Sequence, residues 1–141
     1  MRQTDSEYQS VRGWGCYLCA LAWIAGVRDI AIVDRLFRPL IKSGAIRDNG
    51  RPVGSTGWYR CYIQLPAYII ETFARELGKD VDAKEINRYT SNPEPSRIQP
   101  GMFIIKDTGK HFGVVYPEVY NPDPSIQLDG PGKTWRLWRV S

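Results

Sequence analysis

The order of the hydrophobic patterns along the 141-residue chain predicts an α+β domain. Apolar side chains recur at helical spacing in the first two thirds of the chain, whereas the last third holds short runs rich in β-branched and aromatic residues. The length fits one domain with one hydrophobic core. The sequence therefore predicts a single domain over residues 1–141, with a helical part over about 16–90 and a β part over about 101–140.

Four helices are predicted before residue 90. The first runs from Cys16 to Ala25 and is apolar on all sides, so it should be buried. The second covers Ile30 to Ser43, where Pro39 should kink or divide it. The third begins at Pro66, because proline is favoured in a first turn, and runs to about residue 77. A short fourth helix is predicted over 83–89.

The segments between these helices are marked by polar residues, glycines and prolines. Residues 1–15 are predicted to be a polar lead-in that ends in the tight turn Gly13-Trp14-Gly15. Residues 47–65 contain several glycines and a proline and are predicted to be a loop.

Three strands are predicted in the β part. Met102–Ile105 and His111–Tyr116 are joined by a turn at 107–110, and the last strand spans 134–140. Trp135 and Leu137 alternate with arginines in that last strand, which also resembles the aromatic and basic pattern of some nucleic-acid binders. Because period-two alternation alone explains this pattern, a nucleic-acid partner is disfavoured.

The counts of two residue types restrict the chemistry. The chain has 3 cysteines and 1 histidine. An odd number of cysteines disfavours a disulfide-stapled secreted fold. A zinc site would need every thiol as well as His111, so we expect no metal and no other cofactor. A redox role for Cys16 and Cys19 is disfavoured because no βαβ pattern surrounds that Cys-x-x-Cys motif.

The chain also lacks the patterns that direct proteins to membranes. Its longest apolar stretch, Cys16 to Gly26, is too short to span a bilayer. Residues 1–7 are polar and include two acids, unlike a signal peptide. The sequence therefore predicts a soluble, cytoplasmic protein with no membrane partner. The net charge of +4 comes from scattered lysines and arginines and indicates no particular partner.

Cys16 is the candidate nucleophile. It begins a buried helix directly after Gly15, and the free amides and macrodipole of a helix N-terminus lower the pKa of a thiol. The same amides can stabilise an oxyanion beside the sulfur, and Gly15 leaves room for a substrate near the backbone. Cys19 and Cys61 are predicted to be structural, because a lone cysteine in an apolar setting is usually a small buried hydrophobe.

His111 is the only imidazole that can act as a base for this thiol. It opens a predicted strand after a glycine-containing turn, where a side chain can project from the edge of a sheet. A base of this kind needs an orienting carboxylate or amide. Asn121 and Asp123 follow the histidine strand closely enough to supply it, although an Asn-Pro-Asp-Pro run is also typical of a simple turn.

A set of motifs occurs in a fixed order: Gln9, Gly15-Cys16 at a helix start, the run 111–115 (His-Phe-Gly-Val-Val) and a Tyr-Asn-Pro turn at 120–122. This order resembles the papain-like cysteine peptidase superfamily, and most closely its small bacterial members such as the bacteriocin-leader peptidases. The runs at 7–17, 120–122, 132–133 and 136–137 also resemble a family of phage and bacterial plasmid proteins.

The resemblance implies a papain-like fold, in which N-terminal helices carry the nucleophile at a helix start and pack on a C-terminal antiparallel sheet. It implies a cysteine hydrolase, either a peptidase or an amidase, that forms an acyl-thioenzyme intermediate. The implied partner is a peptide or peptidoglycan-like substrate. The alternative is a catalytically inactive papain-like binding module encoded by a phage, in which the cysteine and the histidine would lie too far apart for a hydrogen bond.

The resemblance also implies roles for four residues. Cys16 would be the nucleophile and His111 the base. Gln9 would be the oxyanion donor and Asn121 the group that orients the base. Asp123 and Asp129 remain alternatives for the orienting group. Trp14, Tyr17 and Trp58 are candidates for a substrate groove, although aromatic residues of this kind are equally typical of a core or its rim.

Overall fold

The structure is a computed structural model that describes residues 1–47 and 61–141. It is an α+β fold of helices and antiparallel sheets. The described helices are α1 to α4, in chain order: Gln9–Trp14, Cys16–Ile24, Ile30–Lys42 and Pro66–Glu76. The described strands are β1 to β6, in chain order: Ile46–Arg47, Tyr62–Ile63, Ala83–Tyr89, Met102–Asp107, Phe112–Tyr116 and Thr134–Val140. Two short 3₁₀ turns lie at Gln3–Asp5 and Pro95–Arg97.

The main sheet has four strands in the order β3-β6-β4-β5, and all its neighbours are antiparallel. The last strand of the chain, β6, therefore lies inside the sheet between β3 and β4. β1 and β2 form a separate antiparallel pair. The predicted strands at 102–105, 111–116 and 134–140 are confirmed within two residues at each end.

The buried core lies between the helices and one face of the main sheet. α2 contacts both α4 and β5 and is buried between them. Because no residue of this helix is exposed to solvent, it is apolar on all sides rather than amphipathic. Ile105 and Trp138 point from the sheet into this core. Ile104, Trp135 and Leu137 lie on the opposite face in a smaller cluster of their own. Within the described residues, no helix is both long and apolar enough to cross a membrane.

Three of the predicted helices are confirmed with small shifts of their ends: α2, α3 and α4. Pro39 does not divide α3, which continues to Lys42. The helix is held at its start by Asp29, whose carboxylate accepts a hydrogen bond of 3.0 Å from the Ala31 amide. Its apolar side is buried on both sides of the proline, at Phe37 and Leu40. The burial of these side chains in the core thus outweighs the destabilisation that the proline causes within the helix.

The predicted helix over 83–89 is wrong, because this segment is strand β3. It pairs with β6 from Ala83 opposite Val140 to Tyr89 opposite Trp135. The residues of this segment include good helix formers, but pairing with a distant strand decides the conformation. The helical part of the domain therefore ends before residue 83, and the β part begins there.

Residues 1–15 are also more ordered than the predicted polar lead-in. They contain a 3₁₀ turn and the short helix α1, in which Ser10 and Val11 are buried. The side chain of Ser6 donates a hydrogen bond to the carboxylate of Asp34 in α3. The N-terminal segment is thus tied to the helical core. Most of the predicted loop over 47–65 lies outside the described residues.

Gly113 in β5 allows the loop after this strand to approach the sheet. A Cβ atom at this position would lie 2.5 Å from Leu128 Cδ2 and 2.9 Å from the Tyr120 carbonyl oxygen. We expect Gly113→Ala to destabilise the fold by about 1–3 kcal/mol in urea denaturation, because the loop must move outwards.

The control for this prediction is a double-mutant cycle with Leu128→Ala, which removes the closest clashing atoms. The double variant should lose less stability than the two single losses added together. Strictly additive losses would show that the contact between Gly113 and Leu128 is not the cause.

Candidate functional site

A cavity of about 480 Å³ lies between the start of α2 and the turn that joins β4 to β5. Cys16 and His111, which the sequence singles out, both line it. Trp14 and Tyr17, which the sequence places in a possible groove, line it too. The structure therefore brings the candidate nucleophile, the candidate base and two candidate groove residues together. Trp58 lies outside the described residues.

Cys16 is the first residue of α2, and Gly15 positions it. A Cβ atom on Gly15 would lie 2.5 Å from the Val11 carbonyl oxygen, which accepts a hydrogen bond of 2.8 Å from the Gly15 amide. Gly15 is also buried. The glycine therefore lets α1 lie against the start of α2, and the predicted role of leaving room for a substrate is wrong.

Burial raises the pKa of the Cys16 thiol above its ordinary value of 9.0. The backbone amides of Phe112, Tyr17 and Cys16 lower that pKa, but by less than burial raises it. The sequence predicts a lowered pKa from the helix N-terminus alone, and this direction is wrong because it leaves out the desolvation of the sulfur. In the resting site, Cys16 is therefore a thiol.

The raised pKa gives a testable pH dependence. Only the thiolate reacts with iodoacetamide, so alkylation of Cys16 at pH 7 should be slower than that of the cysteine in an unstructured peptide of the same local sequence, and it should rise continuously towards alkaline pH. Mass spectrometry of peptides identifies the alkylated residue. Cys19 and Cys61 serve as internal controls, since they are 0% and 7% exposed and should react more slowly still. Fast alkylation of Cys16 that is already constant between pH 5 and 7 would contradict this account.

His111 is 1% exposed and is held by the turn that precedes β5. Its amide donates a hydrogen bond of 3.0 Å to Thr108 Oγ1, and its carbonyl accepts one of 2.9 Å from the Thr108 amide. Asp107 supports the same turn, because its Oδ1 accepts a hydrogen bond of 2.7 Å from the Gly109 amide. The backbone around the imidazole is therefore fixed by local hydrogen bonds.

Asn121 fixes the imidazole of His111. The distance from His111 Nε2 to Asn121 Oδ1 is 2.6 Å. The amide orientation is assigned from its two other hydrogen bonds: Nδ2 donates to the Ile126 carbonyl at 2.9 Å, and Oδ1 accepts from the Asp123 amide at 3.2 Å. Because Oδ1 can only accept, Nε2 carries a proton, and in the neutral form of the ring it is Nδ1 that keeps the lone pair.

The alternative orienting groups do not contact the imidazole. The Asp123 carboxylate accepts hydrogen bonds from the amide and the hydroxyl of Ser125, at 3.1 and 2.6 Å. Asp129 is exposed and lines a different cavity. Of the three candidates from the sequence, Asn121 is the one that the structure brings to His111.

His111 Nδ1 is buried and has no hydrogen-bond partner among the described residues. No hydrogen bond therefore joins it to the Cys16 sulfur, although both residues line the same cavity. Hydrogen bonds between catalytic groups are often long in the absence of substrate and shorten in the complex. Nδ1 of the neutral ring is thus a buried acceptor without a competing donor in the described part of the chain.

The structure does not bring Gln9 to this cavity. Gln9 is exposed at the start of α1, whereas Gln3 is 2% exposed and lines the cavity with Cys16. The Gln3 side chain donates a hydrogen bond of 3.1 Å from Nε2 to the Arg12 carbonyl. Its backbone amide donates one of 2.9 Å to the carbonyl of Pro122, next to Asn121. Gln3 has no local motif that singles it out in the sequence, because it owes its place to a long-range contact.

Aromatic and cationic side chains complete the described lining. Tyr17 stacks on Phe112 with ring centroids 4.2 Å apart, and the Arg136 guanidinium lies 5.1 and 5.0 Å from the centroids of these two rings. Arg136 also forms an ion pair of 3.3 Å with Asp107. Trp14 is 41% exposed at the cavity.

The other two thiols, Cys19 and Cys61, are free and buried, and burial raises the pKa of both. Over residues 1–47 and 61–141, no three histidine, cysteine, aspartate or glutamate side chains are grouped so as to hold a metal ion. The described lining of the cavity therefore offers two thiols, Cys16 and Cys61, together with one imidazole and the amides around them.

Comparisons with protein-family models, with curated proteins and with solved structures found no match to this chain. The function must therefore be argued from the cavity itself.

Proposed function

We propose that this protein is a papain-like cysteine hydrolase that cleaves an amide bond, as a peptidase or an amidase, through an acyl-thioenzyme on Cys16. The observation that carries the proposal is the 2.6 Å hydrogen bond that orients His111 on Asn121, in the cavity that holds a thiol at a helix start. A nucleophile, a base and a group that orients the base are the three parts that this chemistry requires.

In the first half of the reaction, Cys16 Sγ attacks the carbonyl carbon of the substrate and His111 Nδ1 takes the thiol proton. Because burial keeps the resting sulfur protonated, His111 acts as a general base during the attack. Asn121 stabilises the imidazolium through its contact with Nε2. The C–N bond then breaks, and the leaving amine takes the proton from Nδ1.

The oxyanion of the tetrahedral intermediate needs hydrogen-bond donors beside the sulfur. The backbone amides of Cys16, Tyr17 and Phe112 already lower the pKa of the thiol, so their dipoles favour negative charge at this place. Gln3 takes the role that the resemblance gives to Gln9: one proton of its Nε2 is used by Arg12, and the second is available for the oxyanion.

In the second half, His111 Nδ1 removes a proton from a water molecule, and the resulting hydroxide attacks the thioester carbonyl. The C–S bond breaks, the acid is released and the proton returns to Cys16. The substrate class that we propose is a peptide or a peptidoglycan-like stem peptide. The aromatic rings of Tyr17 and Phe112 and the charge of Arg136 line the cavity in which such a substrate would lie.

An activated ester tests this proposal without a known substrate. p-Nitrophenyl acetate should give a burst of about one equivalent of p-nitrophenolate as Cys16 is acetylated, followed by slower turnover. Cys16→Ala should abolish the burst. Cys61→Ala is the matched control, because Cys61 is a second thiol that lines the same cavity, and this variant should keep the burst.

The alternative function is an inactive binding module on the same scaffold. One observation favours it, namely that no hydrogen bond joins Cys16 and His111 in this structure. The binding module would be supported, and the hydrolase overturned, if p-nitrophenyl acetate gave no burst and if Cys16 reacted with this ester no faster than Cys61 does.

A further inference from the structure

A second cavity of about 480 Å³ lies on the face of the main sheet that points away from Cys16. Its floor includes Ile104 of β4 and Trp135 of β6, which belong to the smaller apolar cluster rather than to the main core. The segment at 92–98 and residues 115–119 form its walls.

Lys106 places a buried positive charge in this cavity. The residue is 5% exposed, and its Nζ donates hydrogen bonds of 2.7 Å to the carbonyls of Leu128 and Gly130. Among the described residues, no carboxylate lies within the 4.0 Å that defines an ion pair with Nζ. An ammonium group has three protons, so two carbonyls leave one N–H donor unused.

A buried cation without a counter-charge is costly, and two neutral carbonyls offset only part of its lost hydration. The Trp135 ring lies 5.7 Å from Nζ and adds a weak cation–π contact. An anion that accepted the third N–H would remove most of the remaining cost. The Lys106 end of the cavity therefore favours a negatively charged group.

The rest of the described lining combines polar surface with apolar and aromatic side chains. Ile98, Val115 and Tyr116 face the cavity together with Trp135 and two prolines. Asp129, an exposed residue at its rim, is the one acidic residue among the described residues that line it. A carboxylate at the rim disfavours ligands with a second negative charge, so one charged group on an apolar body fits the lining best.

We propose that this cavity binds a small organic monocarboxylate, with its carboxylate on Lys106 and its flat apolar part against Trp135. This is a binding site separate from the Cys16 cavity and does not depend on the proposed hydrolase function. The two sites share the loop that follows β5, because Lys106 holds the Leu128 carbonyl and Asn121 holds the Ile126 carbonyl.

Isothermal titration of the full chain with 2-naphthoate and with its neutral analogue 2-naphthamide tests the proposal. The carboxylate should bind about tenfold or more tightly than the amide, because the amide carbonyl can accept from Nζ but carries no negative charge to pair with the ammonium group. In Lys106→Met this preference should disappear. Cys16→Ala should leave both affinities unchanged, which separates this site from the proposed active site.

Lys106 also tethers a loop, so Lys106→Met can reduce stability for a structural reason. Ile98→Trp is therefore the second variant, because it fills the cavity and leaves both hydrogen bonds of Lys106 in place. Ile98→Trp should keep the melting temperature of the native chain and lose naphthoate binding. Asp129→Asn should bind naphthoate more tightly than the native chain does. Equal affinities for naphthoate and naphthamide, or naphthoate binding that survives Ile98→Trp, would overturn the proposal.

Discussion

Replacing His111 by alanine should slow the acetylation of Cys16 by p-nitrophenyl acetate about 10²–10⁴-fold, the usual contribution of general acid–base catalysis. The loss should be this large because burial raises the pKa of the thiol, so that little thiolate exists at neutral pH without a base. His111 is the chain's single histidine, so no other imidazole can replace it. Stopped-flow absorbance of p-nitrophenolate gives the rate.

Asn121→Ala is the matched variant for this prediction, because it keeps the imidazole and removes the acceptor on Nε2. It should slow acetylation by less than His111→Ala does. Added imidazole should restore part of the rate of His111→Ala, provided that the vacated space admits it. An alanine variant that is folded by circular dichroism and reacts at the wild-type rate would show that His111 is not the base.

Replacing Arg136 by methionine should destabilise the fold by about 3 kcal/mol, which urea denaturation measures. Arg136 and Asp107 form an ion pair of 3.3 Å whose side chains are only 13% and 10% exposed. Without the guanidinium, the Asp107 carboxylate stays almost buried and loses its ion-pair partner among the described residues. Methionine keeps most of the volume, so the loss reports the charge rather than a cavity.

The control for this prediction is the double variant Arg136→Met with Asp107→Asn, which removes both charges. It should be more stable than Arg136→Met alone, because no unpaired charge stays buried. Since the Asp107 carboxylate also accepts the Gly109 amide in the turn before His111, Arg136→Met should slow acetylation as well. A loss below about 0.5 kcal/mol would show that solvent screens this pair.

The elements that the sequence predicts well are those whose pattern is local. α2 is a continuous apolar segment that ends before a glycine, and β4 and β5 are short apolar runs on either side of a turn. The segment over 83–89 has residues that suit a helix, yet it pairs with β6, which lies about fifty residues further along the chain. Strand pairing between distant segments leaves no local signal, and this is why the prediction of a helix is wrong.

The residues of the candidate site also divide into those with a signal in the local sequence and those without one. Cys16 and His111 can be selected because thiols and imidazoles are scarce in the chain, whereas Asn121 is singled out by the resemblance of its Tyr-Asn-Pro turn. Gln3 cannot be selected in this way, since its position depends on the hydrogen bond between its amide and the Pro122 carbonyl. The direction of the pKa shift of Cys16 also depends on tertiary structure, because desolvation outweighs the nearby amides only after the chain has folded.

The central claim is that Cys16 is the nucleophile and His111 is its base, and the site of acylation tests it most directly. The protein is mixed with p-nitrophenyl acetate, quenched in acid within the burst phase and digested, and the acetylated residue is identified by mass spectrometry. The account predicts an acetyl thioester on Cys16 in the native chain and in Cys61→Ala, and almost none in His111→Ala at the same time point. Acetylation of Cys61 or of lysines alone, or equal acetylation of Cys16 with and without His111, would contradict it.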